Sequence, residues 1–379
     1  MRDSSVLAIC GDPGGGQAVA PVIEHLRREE RVPVHAFAYR QSCDCWSRRS
    51  LDFKALEETT GEAEALVLLR SCRAGVLLAG TSANTVDLEK VFVAAARKAG
   101  IPSVSVLDFW SNYRIRFSDG KDQLTFLPDR IAVMDTRARD EMVQAGFRAE
   151  LLVVTGHPAF EEICGKRARF TTARSEEIRR RLGLGNECRM VLFVSQPLAS
   201  LDLAGGQDPA YRGYTEKIVI PLLFKALRSI RARTGQRIVV VIRTHPREDV
   251  VALRKLLPED EPMILETTSD AHELAMTADL VVGMNSIFLM EASCLGCIAV
   301  SVQPGLRGPD RLPSNLSGIS IPVYREEDLE PVLDRLLNNA VVYRESLAGS
   351  MLYEGATGSV VSLLYEIMRI PRSVSGAER

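Results

Sequence analysis

Short apolar runs alternate along this chain with stretches whose apolar residues recur at helical spacing. Residues 6–10 (Val-Leu-Ala-Ile-Cys) predict a strand, 11–17 a loop and 18–30 a helix. Residues 34–39, 74–79, 102–107, 130–134 and 151–154 read as further strands, with a helix following Gly80-Thr81-Ser82 and running to Lys98. In the second half, residues 190–194, 237–242, 263–265, 280–282, 298–302 and 319–323 read as strands, and 214–233, 250–257 and 271–277 as helices. Runs this short and this apolar suit strands covered on both faces. Their alternation with helices predicts an α/β chain of two Rossmann-like domains, whose parallel sheets turn their carboxyl ends toward a central cleft, where such sheets bind ligands. The expected division is 1–165, 166–340 and a helical end, 341–379, packing back on the first domain. The seam is placed at 163–176, where Gly165-Lys166-Arg167 and a charged stretch interrupt the pattern.

Composition changes this picture little. The chain has 379 residues, 46% of them hydrophobic and 25% charged, as in an ordinary globular protein of two domains. A formal net charge of −2 gives no reason to expect nucleic acid as a partner. No apolar run reaches membrane-spanning length, and residues 1–5 lead directly into a strand, so a cytoplasmic protein is expected. The eight cysteines are scattered. Cys43-Asp44-Cys45 and Cys294-Leu295-Gly296-Cys297 lack the partners of a closed zinc set, and no metal is expected.

The residues able to act on a ligand follow predicted strands. The strand at 280–282 ends at Gly283, and Asn285-Ser286 opens an apolar helix carrying Glu291. Free backbone N–H groups beside a carboxylate suit a phosphorylated ligand, whereas a turn serving packing alone needs no acid there. Asp12-Pro13-Gly14-Gly15-Gly16-Gln17 follows the first strand, and its glycines would let backbone approach a ligand. It is neither a P-loop nor a GxGxxG dinucleotide fingerprint. Thr81 and Ser82 either cap a helix or face the ligand. In Asp108-Phe109-Trp110-Ser111-Asn112-Tyr113-Arg114 the aromatics either receive a polyol, with Asp108 as general base, or fill space. His157, before Pro158, either points into the cleft or marks a hinge. Arg243-Thr244-His245-Pro246 offers a forked donor and an imidazole, opposite Asn285-Ser286 if the two strands are neighbours. Ser195-Gln196-Pro197 either meets a diphosphate or caps, and Gln303-Pro304-Gly305 would border a nucleotide base.

These motifs resemble the glycosyltransferase superfamily of GT-B fold, which also contains the UDP-N-acetylglucosamine 2-epimerases. The resemblance covers residues 6–323. Residues 284–292 (Met-Asn-Ser-Ile-Phe-Leu-Met-Glu-Ala) match the helix that contacts the diphosphate and whose Glu holds the ribose. Leu295-Gly296-Cys297-Ile298-Ala299-Val300 is similar to the Leu-Gly-x-Pro-Val pattern. Arg243-Thr244-His245-Pro246 resembles the His-Pro motif of the epimerases, of bacterial sialyltransferases and of CDP-glycerol glycerophosphotransferases. Thr155-Gly156-His157-Pro158 resembles the epimerases' Thr-Gly-Asn-Pro. Thr81 stands where the epimerases carry an aspartate, and their later paired glutamates lack clear counterparts, although Asp108 falls close to one.

The resemblance implies a glycosyltransferase without cofactor or metal, using a nucleotide sugar as co-substrate. Arg243, His245, Asn285, Ser286, Glu291, Ser195, Gln196 and Gly305 would hold that donor. Gly14, Gly15, Gly16, Gln17, Thr81, Ser82, Trp110, Arg114 and His157 would hold a glycan, lipid-linked or small-molecule acceptor. Asp108, Asp12 and His245 are the catalytic candidates. Peripheral membrane association is compatible with a lipid-linked acceptor, and bacterial surface-glycan synthesis is the expected setting. A 2-epimerase and a non-catalytic nucleotide-sugar-binding protein are the alternatives.

Overall fold

A computed structural model describes residues 5–30, 32–84, 86–120, 123–200, 211–339, 343 and 353–369. The chain divides into two compact units, Met1–Glu162 with Leu352–Arg379, and Ile163–Met351.

The first unit is built on a seven-stranded parallel sheet. Its strands are β1 (Ser5–Cys10), β2 (Val34–Ala38), β3 (Lys54–Ala55), β4 (Ala74–Ala79), β5 (Ser103–Val106), β6 (Arg130–Val133) and β7 (Leu152–Val154), in the order β3-β2-β1-β4-β5-β6-β7. All six residues of β1 are buried, and their alternation feeds two cores. Val6, Ala8 and Cys10 face α1 (Pro13–His25) and the final helix, Ala356–Arg369. Leu7 and Ile9 pack with α3 (Glu62–Ser71) and α4 (Leu88–Ala99). A strand sandwiched in this way cannot be amphipathic, which is why it reads as continuous apolar sequence.

The second unit repeats the plan with six parallel strands, β8 (Arg189–Val194), β9 (Ile238–Arg243), β10 (Met263–Glu266), β11 (Leu280–Gly283), β12 (Ala299–Val302) and β13 (Ile321–Val323), in the order β10-β9-β8-β11-β12-β13. Val191 and Phe193 pack with α8 (Glu216–Thr234) and, after the short α12 (Pro313–Leu316), with α13 (Glu326–Asn338). Met190, Leu192 and Val194 lie in the opposite core with α7 (Thr172–Arg181), α10 (Ala271–Thr277) and α11 (Phe288–Cys294). The β8–β11 and β8–β9 pairings place β8 between the strands that carry the Asn285 and Arg243 motifs. The condition under which the two motifs would stand directly opposite each other, adjacent strands, is therefore not met.

Several elements differ from the sequence expectation. The expected seam is helical, occupied by α6 (Pro158–Arg169) and α7, because its arginines and glutamates are good helix formers despite lacking an apolar face. Helix α2 (Gln41–Arg48), α3, α5 (Thr136–Gln144) and the two-residue β3 were not anticipated. The glycine run is not a loop: α1 starts at Pro13, with proline in the first turn, where it has no N–H to leave unpaired. Helix α9 is only Val250–Arg254. The apolar positions at the end of the chain belong to different units, since α13 packs on α8 and the final helix on α1 and β4.

Candidate functional site

At the carboxyl end of the second sheet, β8 supplies the middle of the site. Asn285 donates its backbone N–H to Gln196 Oε1 at 3.0 Å, tying the end of β8 to the turn after β11. That close approach requires Gly283, where a Cβ would lie 2.8 Å from Val194 Cγ2. Ser286 Oγ accepts the Phe288 N–H at 3.2 Å, so its hydroxyl proton remains available to a ligand oxygen. Asn285 Oδ1 is buried without a hydrogen-bond partner.

On the other side of β8, Ser195 Oγ donates to Glu248 Oε1 at 2.6 Å, and Glu248 Oε2 accepts the His245 backbone N–H at 3.0 Å. Burial raises the Glu248 carboxyl above its ordinary range. His245 Nδ1 accepts the Arg247 backbone N–H at 3.1 Å. Burial, and then the Arg247 charge, lower the imidazole's pKa. His245 is thus a neutral ring with its N–H at Nε2, a donor rather than an acid at neutral pH. The Arg243 guanidinium, at the last position of β9, has no partner among the described residues. Sequence reading missed Glu248, whose only signal was its position three residues after His245. Gly305 adopts φ +69° beside Gly213, whose Cβ would lie 2.1 Å from the Gly305 carbonyl oxygen.

Helix α11 carries Glu291, whose Oε2 lies 2.8 Å from His272 Nε2 of α10. His272 was not anticipated either.

In the first unit the ends of β1, β4 and β5 lie side by side and assemble two carboxylates. Ser82 Oγ donates to Asp12 Oδ2 at 2.6 Å, and the Asn84 amide donates to both Asp12 oxygens at 2.7 Å. Thr81 Oγ1 and Arg116 Nη1 each donate to Asp108 Oδ1 at 2.6 Å. Arg116 is 7% exposed and also bonds Thr81 Oγ1 at 3.0 Å, so acid, hydroxyl and guanidinium form one closed group. Thr81 therefore serves Asp108 rather than a helix N-cap, which Asp87 supplies for α4.

Three acceptor-side expectations are corrected by this geometry. Gly15 and Gly16 are buried within α1 instead of lining a loop. The run is glycine because a Cβ would lie 2.1 Å from Asp108 Oδ2 at Gly14, 3.3 Å from Thr81 backbone at Gly15 and 2.5 Å from Ser42 Oγ at Gly16. Gln17, the next residue of that helix, is exposed. Arg114, expected to meet the acceptor, donates to the Ala145 carbonyl at 2.6 Å, and it is Arg116 that pairs with Asp108. His157 is 3% exposed and does not reach for a ligand. Its Nε2 bonds the Asp108 backbone carbonyl at 3.2 Å, and its ring stacks on Trp110, which is itself 4% exposed and donates to Asp135 at 2.7 Å. Burial lowers the His157 pKa. These two rings fix the Asp108 loop from behind.

Among the described residues no helix is long and apolar enough to cross a membrane, and no group of three or more His, Cys, Asp or Glu could hold a metal ion.

No family model matches the chain, and no curated protein matches it in sequence. Solved structures do match its fold. The UDP-GlcNAc 2-epimerase of Neisseria meningitidis, bound to UDP-GlcNAc, superposes with a TM-score of 0.70 at 14% identity, over 96% of this chain and 100% of that one. A glycosyltransferase from Rickettsia africae gives 0.65 at 8% identity over 97% and 100%. MurG of Acinetobacter baumannii gives 0.58 at 13% identity over 96% and 99%. With two parallel sheets, each flanked by helices and aligned over nearly the whole length of these enzymes, the chain has the GT-B fold.

Proposed function

We propose that this protein is a nucleotide-sugar-dependent glycosyltransferase. The observation that carries this reading is the set of donors around the end of β8 that are left free by the described residues: the Arg243 guanidinium, the Nε2–H of His245 and the Ser286 hydroxyl. Donors held ready for negative charge suit a departing diphosphate. Glu291 would hold the ribose hydroxyls of the donor. Asp108 would take the proton of the acceptor hydroxyl as that oxygen bonds to the anomeric carbon and the bond to the diphosphate breaks. Its Oδ1 is occupied by Arg116 and Thr81, so Oδ2, beside Gly14, is the atom left for the proton. Asp12, with both oxygens engaged, is the weaker candidate.

A 2-epimerase is the second reading, favoured by the superposition on the Neisseria enzyme and by two carboxylates at the strand ends of the first unit. Epimerised sugar, formed without any acceptor, would establish it.

Calorimetric titration with UDP, GDP, dTDP, CDP and CMP, with and without magnesium, tests the shared premise. Binding of one nucleotide, indifferent to magnesium, is expected, and binding of none would remove both readings. Asp108→Asn is then expected to bind that nucleotide as tightly as the native protein while transfer falls by at least ~100-fold. A variant that still turns over would refute Asp108 as the base.

A further inference from the structure

Behind Glu291 stands a line of groups that the donor-binding reading does not require. His272 lies between two partners, with Nδ1 2.9 Å from Lys166 Nζ and Nε2 2.8 Å from Glu291 Oε2. Its ring lies flat against Phe288, with centroids 5.7 Å apart and an interplanar angle of 9°. The imidazole thus rests on an aromatic face from α11 and is held at both nitrogens.

The chemistry of the flanking groups fixes the role of each nitrogen. An ammonium group can only donate, so His272 Nδ1 must accept from Lys166. The proton then sits on Nε2 and points at Glu291, whose carboxylate can only accept. Side chains from α6, α10 and α11 thereby aim one carboxylate oxygen at the imidazole and leave Oε1 for another partner. The Glu291 side chain is 24% exposed, enough for Oε1 to meet a ligand, and that of His272 is 16% exposed.

We infer that His272 is a positioning residue. It holds Glu291 in the one rotamer that presents Oε1 to the donor's ribose hydroxyls, and Lys166 sets the tautomer that lets it do so. The inference rests on the assignment of Glu291 to the ribose. A purely structural His272 would be bonded for stability alone, and its loss would lower the melting temperature without changing which nucleotide is preferred. A positioning residue instead sets the preference for a ribose over a sugar without hydroxyls.

The test compares UDP with 2′,3′-dideoxy-UDP, by calorimetry, on the native chain, His272→Leu, His272→Gln and Glu291→Ala. The native protein is expected to prefer UDP by ~10-fold or more, the range of a hydrogen bond to a charged group. His272→Leu should lose most of that preference, approaching Glu291→Ala, while binding dideoxy-UDP as the native protein does. His272→Gln, whose amide can donate from nearly the place of Nε2, should keep it. Imidazole ¹⁵N spectra should show the proton on Nε2 in the native chain, and a proton on Nδ1 would overturn the inference. A native protein that binds UDP no better than dideoxy-UDP sinks the ribose assignment and the inference with it; binding of another nucleotide in place of UDP moves the same comparison to that nucleotide and its dideoxy form. A native preference that survives in His272→Leu overturns the inference alone.

Discussion

Glu89, in the first turn of α4, is a carboxylate buried to 3% exposure beneath the turn that leads into Asp12. Its Oε1 accepts the Gly11 N–H at 2.8 Å, and Tyr39 donates its hydroxyl to Oε2. Burial, and then the charge of Asp87, raise its pKa to about 8 against these two donors. An acid with a raised folded-state pKa contributes stability that is fully present below the unfolded value, near 4.5, and lost as the pH rises through about 8. Glu89→Gln keeps the shape and removes the charge. It is expected to raise stability at pH 8.5 by on the order of a few kcal/mol, with the difference shrinking toward pH 5, as read by urea unfolding across pH. A parallel pH dependence in both proteins would contradict this. Glu89 also shows what one residue discloses in sequence: an acid in a first helical turn reads as a solvated dipole partner, and burial becomes visible only when Tyr39 and Gly11 fold over it. Arg116 was illegible for the same reason. It and Arg114 share a loop, and chain geometry alone sends one to Asp108 and the other to the Ala145 carbonyl.

At the scale of elements, the start of α1 is where local preference and tertiary packing conflict. Glycine disfavours a helix by up to ~1 kcal/mol relative to alanine, so three in succession mark a steric demand stronger than that cost. The demand comes from the ends of β4 and β5 and from the start of α2, which bring Thr81, Asp108 and Ser42 against the helix backbone. Gly14→Ala therefore gains helix propensity yet places a methyl 2.1 Å from the present Asp108 Oδ2. Because Arg116 and Thr81 hold that side chain, the carboxylate must leave its bonds or the helix must shift. Transfer is expected to fall by ~10-fold or more while the nucleotide affinity of the second unit stays unchanged, measured by steady-state assay and calorimetry. Unimpaired transfer would show that Asp108 is not needed where it stands. The spacing of the apolar runs revealed most strands to within two residues, because a sandwiched strand leaves a continuous apolar signature. Helices such as α7 were less visible, since an arginine-rich surface helix buries only Ile178 and shows no stripe.

At the scale of the molecule, the first unit is completed by the far end of the chain. Val360, Leu363, Leu364 and Ile367 enter the core formed by α1 and the even-numbered positions of β1. Glu161 receives the Gly355 and Thr357 backbone N–H groups at 2.6 and 2.8 Å, capping the helix as it arrives. Leu364 is 1% exposed, so Leu364→Ala should cost ~2–5 kcal/mol, and the loss should fall on the first unit. Hydrogen exchange followed by mass spectrometry is the suitable measurement. Amides of β1 and α1 should exchange faster in the variant and those of β8 and β9 at the native rate, whereas uniform acceleration would mean that the units do not unfold separately.

Sequence alone determined the α/β class, the parallel character of both sheets and the strand ends where polar residues gather. Each of these follows from local patterns: apolar runs set by burial on two faces, and turns set by glycine and hydroxyl residues. Strand order was decided only in three dimensions, because every apolar strand of a parallel sheet is an equally good neighbour for every other until crossovers are packed. That order put Ser195 and Gln196 between the Arg243 and Asn285 motifs, joined Thr81 to Asp108, and brought His272 to Glu291 across nineteen positions of chain. Side-chain partnerships of this kind depend on distances between elements, and a linear spacing of residues carries no such information.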